Sequence, residues 1–174
     1  MIQIGIIGSA GLEEYPIGGK PEKKVFQIAE ELGSLVATYQ AVLITGGKGG
    51  IMEYAAKGAK ANNGMIVGIV KGDKRYTANT FIDIEISSNT SDEGEEDILV
   101  SSCDGLIIVG GGAGTLQELA CAYRKKKPIV ALTTIRGVSS QFAGKYLDSR
   151  KLVKVNSASS AKDAIELLIK LIKC

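Results

Sequence analysis

At 174 residues the chain is the size of one domain, which can bury roughly 70% of its unfolded surface without disulfides or metals, so a single domain over residues 1–174 is expected. A hydrophobic fraction of 45% excludes a disordered chain, while 22 glycines against 3 prolines point to tight backbone crossings. Lys and Arg total 21 and Asp and Glu 19, and a net charge of +2 gives no support to nucleic-acid binding, though it permits a local anion pocket.

Ile2, Ile4, Ile6 and Ile7 make a first strand over residues 2–7, with no basic leader or cleavage site before it, and the N-terminus reads as that of a mature protein. A glycine-rich loop at 8–11 and a polar stretch lead to a helix over 22–39, where Val25, Ile28, Ala29, Leu32, Leu35 and Val36 share one face. A second strand at 42–45 enters the loop Gly46-Gly47-Lys48-Gly49-Gly50, and a helix over 51–62 closes at Asn63-Gly64. The third strand is 65–70. A weaker fourth, 81–86, mixes acids with Phe and Ile, and the acidic Asp92, Glu93, Glu95, Glu96 and Asp97 precede a helix over 95–102. The most apolar strand, 106–109, runs into the loop 110–114 and a helix over 115–123 that ends at Arg124-Lys125-Lys126-Lys127. Pro128 opens a strand at 129–132; a short helix at 141–147, a last strand at 152–155 and a closing helix over 160–173 complete the chain.

Buried strands alternating with amphipathic helices specify a mainly parallel sheet covered on both faces, a Rossmann-like three-layer α/β/α sandwich. No stretch approaches 18 uninterrupted apolar residues, so no membrane partner is expected and the location is taken as cytoplasmic. Cys103, Cys121 and Cys174 match neither a zinc box nor a redox pair and read as ordinary thiols, and no metal site is assigned. Histidine is absent, which excludes His-based acid–base chemistry and Ser-His-Asp triads and leaves carboxylates, hydroxyls, Lys, Arg and backbone amides.

Three glycine-rich loops follow strand ends, at 8–11, 46–50 and 110–114. Ligands of open parallel sheets bind at that edge, where helix N-termini expose amides, and glycine lets the backbone approach a phosphate closely. One such loop is an ordinary turn as readily as a site; three on one edge favour a phosphorylated or otherwise anionic ligand. Residues 46–51 lack the Gly-Lys-Ser/Thr ending of a P-loop, and the equal spacing of Gly5, Gly8 and Gly11 is not a dinucleotide fingerprint, so ATP hydrolysis and NAD chemistry are disfavoured. Thr115 and Glu118 are spaced as a capping box, with Thr115 at the helix start; equally, Glu118 lies within reach of the anion pocket, and the two roles can coexist.

Gly46-Gly47-Lys48-Gly49-Gly50-Ile51-Met52 and Gly110-Gly111-Gly112-Ala113-Gly114-Thr115-Leu116-Gln117-Glu118 resemble the two glycine elements of the LOG, or lysine-decarboxylase-like (SLOG), superfamily, nearest its molybdenum-cofactor carrier branch. The likeness covers about residues 2–135 and includes Ser9. LOG enzymes hydrolyse the N-glycosidic bond of nucleoside 5′-monophosphates, whereas the carriers bind the molybdenum cofactor. On this resemblance Gly111, Gly112, Gly114 and Thr115 hold phosphate, and Glu118 matches the catalytic glutamate. Position 110 is glycine, as in many carriers, where hydrolases commonly have proline. The arginine that the hydrolases use beside this glutamate falls near Glu95 or Glu96, reversing the local charge.

The ligand-binding set is then Gly8, Ser9, Gly11, Gly46, Gly47, Gly50, Met52, Gly111, Gly112, Gly114 and Thr115, with Glu118 catalytic if there is catalysis. The leading expectation is a binder of a phosphorylated nucleotide-like small molecule, with a molybdopterin-type ligand as the narrower version. A nucleoside 5′-monophosphate phosphoribohydrolase is the rival, and an oligomeric structural protein without a ligand the third class. Unless Lys48, Lys71 or Arg75 swings in to compensate that reversal of charge, hydrolysis by the familiar arrangement is expected to be poor, and the acidic run by itself is expected to be a solvated loop and helix start. A homodimer or homotetramer is expected because the resembling families are oligomeric and because Leu116, Leu119, Ala120 and Tyr123 exceed what one thin sheet must cover.

Overall fold

Strands that are apolar on both faces can be stable only inside a sheet covered twice, and the inner strands of this protein are of that kind. The computed structural model describes residues 1–11, 16–17, 20–21, 23–90 and 92–174. In chain order its elements are β1 (Gln3–Gly8), β2 (Pro16–Ile17), β3 (Lys20–Pro21), α1 (Lys23–Thr38), β4 (Val42–Thr45), α2 (Ile51–Ala61), β5 (Met65–Val70), β6 (Ile84–Ser87), α3 (Asp92–Ser101), β7 (Gly105–Val109), α4 (Ala113–Arg124), β8 (Ile129–Leu132), α5 (Val138–Phe142), β9 (Val155–Ala158) and α6 (Ala161–Ile172). Seven strands form one parallel sheet in the order β6-β5-β4-β1-β7-β8-β9, and β2 pairs antiparallel with β3 apart from it.

The period-two alternation of each strand divides the core in two. Ile107 and Val109 of β7 pack with α1, α2 and α6, while Leu106 and Ile108 pack with α3, α4 and α5. These are the three layers expected from the sequence. Gly33 and Gly58 bring α1 and α2 together: a Cβ at Gly33 would lie 1.8 Å from the Ala55 carbonyl oxygen, and one at Gly58 1.9 Å from that of Glu30. Among the described residues, no helix is long and apolar enough to cross a membrane.

Five elements lie two residues or more away from the bounds read from the sequence. The fourth strand is Ile84–Ser87 because Asn79 and Asp83 take backbone amides before it: Asn79 Oδ1 accepts from Phe81, and Asp83 Oδ2 from Ile66. Asp83 also pairs with Lys60. The last strand is Val155–Ala158, since the backbone N–H of Leu152 is spent on the hydroxyl of Tyr123 and pairing with β8 starts only at Val155. α3 begins at Asp92, α4 at Ala113, and α5 sits at Val138–Phe142 behind Gly137. The expected helix start at Glu22 lies outside the described residues, as do the side chains of Asp92 and Glu93. Leu119 and Tyr123 are buried in their own chain, so of the apolar α4 positions counted toward an interface Leu116 is the exposed one, at 40%.

The topology fixes where a site can form. From β1 the chain works outward through β4, β5 and β6, then returns to lay β7 on the other side of β1. Crevices of open parallel sheets lie at such a reversal, beyond the C-terminal ends of the strands.

Candidate functional site

Three strand ends and two helix starts converge at that reversal. Gly8 ends β1 and Ser9 and Ala10 follow it, Gly46 and Lys48 follow β4, Met52 lies in the first turn of α2, and Gly112, Gly114, Thr115 and Glu118 come from the start of α4. With Glu95 and Glu96 of α3 they line a cavity of about 190 Å³.

The loop after β1 is anchored by its carbonyl at Ser9, which accepts the N–H of Ile51 at 3.0 Å and so ties it to the start of α2. Gly50 makes that approach possible: its φ is +62°, and a Cβ there would stand 2.3 Å from the Ser9 carbonyl oxygen. Ser9 itself is buried, and its hydroxyl finds no hydrogen-bond partner among the described residues. Leaving a buried hydroxyl unpaired costs about 1–3 kcal/mol, so this one is poised for a bond that the described residues do not supply.

The loop after β7 is held from behind. Gly110 N–H donates to the buried Ser139 hydroxyl at 2.8 Å, Ser139 N–H donates back to the Gly110 carbonyl at 3.0 Å, and Val138 N–H donates to Gly111. Gly111 turns the chain at φ +90°, and a Cβ there would collide with Thr115. Gly112 is the N-cap of α4, and no side chain caps it. This corrects the capping-box reading: Thr115 lies inside the first turn, buried under Gly111, and is not the residue that starts the helix. The first amides of a helix have no intrahelical acceptor and carry the positive end of the helix dipole, and at this helix start Gly112, Gly114 and Thr115 line the cavity.

Three carboxyl groups share the cavity. Glu95 is buried and receives Lys48 Nζ at 3.2 Å, so the expectation of a solvated acidic run fails at this residue, and the compensating cation is Lys48. Arg75 instead lies over the Tyr76 ring, 5.2 Å from its centre, while Lys71 lines a neighbouring cavity. Burial first, then the facing carboxyls of Glu96 and Glu95, push the Glu118 carboxyl up to about 8 against the opposing pull of Lys48. Near neutral pH Glu118 is therefore mostly protonated and can donate a hydrogen bond as well as accept one.

Of the residues expected from the sequence, Gly8, Ser9, Gly46, Met52, Gly112, Gly114, Thr115 and Glu118 come together around this cavity. Gly11, Gly47, Gly50 and Gly111 are not in its lining. Gly50 and Gly111 make close backbone crossings, and the Gly47 carbonyl accepts the Asn79 N–H at 2.8 Å. Ala10, Lys48, Glu95 and Glu96 join the lining without having been assigned to the ligand. Lys48 sat within a quoted motif and the two glutamates at the position of the absent arginine, which is the signal that marks them.

The chain is similar to several known proteins. A model of the SLOG cluster4 family matches residues 1–164. An uncharacterized protein of Archaeoglobus fulgidus is 39% identical over 132 residues, covering 76% of this chain and 80% of its own length. The structure of the molybdenum cofactor binding protein from the phototrophic bacterium Rippkaea orientalis superimposes with a TM-score of 0.80 at 31% identity, covering 98% of this chain and 97% of that one. The molybdenum cofactor carrier protein of Chlamydomonas reinhardtii does so with a TM-score of 0.82 at 29% identity, covering 99% of each chain.

Proposed function

The chain belongs to the SLOG cluster4 family, and on that premise we propose that it binds a phosphorylated, nucleotide-like small molecule of the molybdenum-cofactor class in the cytoplasm, carrying it rather than turning it over. The observation that bears most weight is the buried Ser9 hydroxyl, without a partner among the described residues, set beside the uncapped start of α4. A phosphate oxygen satisfies both, accepting from Ser9 Oγ and from the amides after Gly112. Its charge is tolerable because Lys48 offsets Glu95 and Glu118 is mostly neutral. The carboxyl groups are then left to the ring N–H groups of a pterin or purine, which carboxylates accept well. The names of the two similar structures, both proteins that bind or carry the molybdenum cofactor, support the same class of cargo.

Titration calorimetry with isolated molybdenum cofactor, AMP and GMP tests the reading. Saturable binding is expected, weakened by at least about tenfold in Gly114→Val. A Cβ at Gly114 meets only Glu96 Oε1, at 3.6 Å, so this variant folds while its larger side chain blocks access to the amides. Absence of binding by all three ligands defeats the proposal and leaves the oligomeric structural role.

The raised Glu118 supports a second reading, since a protonated carboxyl beside a bound nucleoside monophosphate could protonate a departing base. In that case wild-type protein releases base and ribose 5-phosphate, and Glu118→Gln lowers the rate by about 100-fold or more. Turnover of that kind replaces the carrier reading.

A further inference from the structure

Three consecutive glycines, 110–112, join β7 to α4, and a run without side chains is the most freely turning backbone a chain can have. The course of this run nonetheless decides where the start of α4 stands, and Gly112, Gly114 and Thr115 of that start line the cavity. Gly110 turns at φ +61° and Gly111 at +90°, in the region that side chains disfavour. The loop carries no side chain of its own with which to hold such a turn.

The hold comes from α5, which follows a different strand. Ser139 is fully buried, and its hydroxyl accepts the Gly110 N–H at 2.8 Å while donating to the Ile135 carbonyl at 3.1 Å. With its proton directed to Ile135, the hydroxyl turns a lone pair to Gly110. The first amides of α5 complete the clamp: Ser139 N–H donates to the Gly110 carbonyl at 3.0 Å, and Val138 N–H to that of Gly111 at 2.9 Å. Gly137 lets the two backbones meet, since a Cβ there would stand 2.5 Å from the Gly111 carbonyl oxygen. Both backbone groups of Gly110 are thus bonded to one residue, which does not itself line the cavity.

Resting on the reading of the Ser9 cavity as a phosphate site, we propose that Ser139 is a positioning residue for the ligand: by fixing Gly110 it holds the glycine loop and the start of α4 in the binding conformation before the ligand arrives. Preorganisation of this kind raises affinity because binding then orders no further backbone. Ser139→Ala keeps nearly the same volume but deprives Gly110 N–H of its acceptor, and the three glycines regain their freedom.

The test compares whole wild-type protein with Ser139→Ala and with Gly58→Ala, a control that disturbs the contact between α1 and α2 and leaves the loop alone. Both variants are expected to melt below wild type. In ligand-free protein, hydrogen exchange followed by amide NMR is expected to speed up about tenfold or more at Gly110 in Ser139→Ala, with shifted signals from Gly110 to Thr115. By calorimetry, well below every melting temperature, Ser139→Ala is expected to bind AMP or molybdenum cofactor about five- to tenfold more weakly, and Gly58→Ala to bind within about twofold of wild type. If exchange at Gly110 does not rise, the hydroxyl does not hold the loop and the proposal is wrong. If it rises while affinity stays at the wild-type value, or if both variants lose affinity alike, Ser139 serves stability and positions nothing for the ligand. If wild type binds none of the ligands while exchange behaves as expected, the proposed function falls, and the clamp is left as a purely structural one.

Discussion

Replacing either of two polar side chains in the cavity, Ser9 or Glu118, is expected to leave the fold at least as stable as it is. Ser9 is buried and its hydroxyl has no partner among the described residues, so Ser9→Ala removes none of the bonds described in the ligand-free protein. Its melting temperature is expected to stay the same or rise by one or two degrees, while affinity for AMP or molybdenum cofactor falls about five- to tenfold with the loss of one hydrogen bond to a charged oxygen. A loss of stability without a change in affinity would mean that the hydroxyl serves the fold. Glu118 titrates far above an ordinary carboxyl, at about 8. Between roughly pH 4.5 and 8 the native state holds a proton that the unfolded state has released, so stability falls as pH rises through that window. Glu118→Gln stays neutral at every pH and is expected to melt above wild type at pH 9, with the difference shrinking toward pH 4. Each kcal/mol of relief raises Tm by about 2–4 °C in a chain of this size. Parallel melting curves for the two proteins across that range would show that Glu118 is not perturbed.

At the scale of elements, backbone contact outweighs helix propensity. Gly58 sits inside α2, where alanine is intrinsically better by about 1 kcal/mol. A methyl group there would nonetheless collide with the backbone of Glu30 on α1, not with a side chain that could rotate away. Gly58→Ala is therefore expected to lower stability by about 1–3 kcal/mol, read as a fall in Tm or in the denaturant midpoint. An increase would show that the two helices separate freely. The start of α4 obeys a similar rule: Ser139 on α5 bonds Gly110 through both its hydroxyl and its N–H, so the geometry of the loop that leads into α4 depends on an element outside the cavity lining.

For the molecule as a whole, the strand order decides which residues meet. The reversal between β1 and β7 places the ends of β1, β4 and β7 side by side, although the first and last of them are about a hundred residues apart in the chain. The edge strand β6 leaves Ile84 and Ile86 exposed, at 47% and 44%, and α4 leaves Leu116 exposed. Light scattering at tens of micromolar is expected to give a dimer or tetramer, which would cover apolar surface of this kind. A monomer at that concentration would remove the assembly from the proposal.

The sequence by itself determined the layered parallel sheet, because a strand buried on both faces must be apolar throughout and a covering helix must be apolar on one side. Strands at 42–45, 65–70 and 129–132 coincide with β4, β5 and β8. Periodicity fails where side chains take over backbone bonds, as Asn79 and Asp83 do before β6 and Tyr123 does before β9. The glycine loops also mark the edge at which the cavity forms, yet their spacing could not separate glycines that line it, such as Gly112 and Gly114, from Gly50 and Gly111, which serve backbone crossings. Only the tertiary structure decided the electrostatics. Lys48 and Glu95 are 47 positions apart and meet because β4 and α3 are brought to one sheet edge. The high pKa of Glu118 likewise arises first from its burial in the assembled fold and then from carboxyls on a different helix. Local patterning records how much of each element is buried; which charges share a low-dielectric pocket is set by the order in which the strands are laid down.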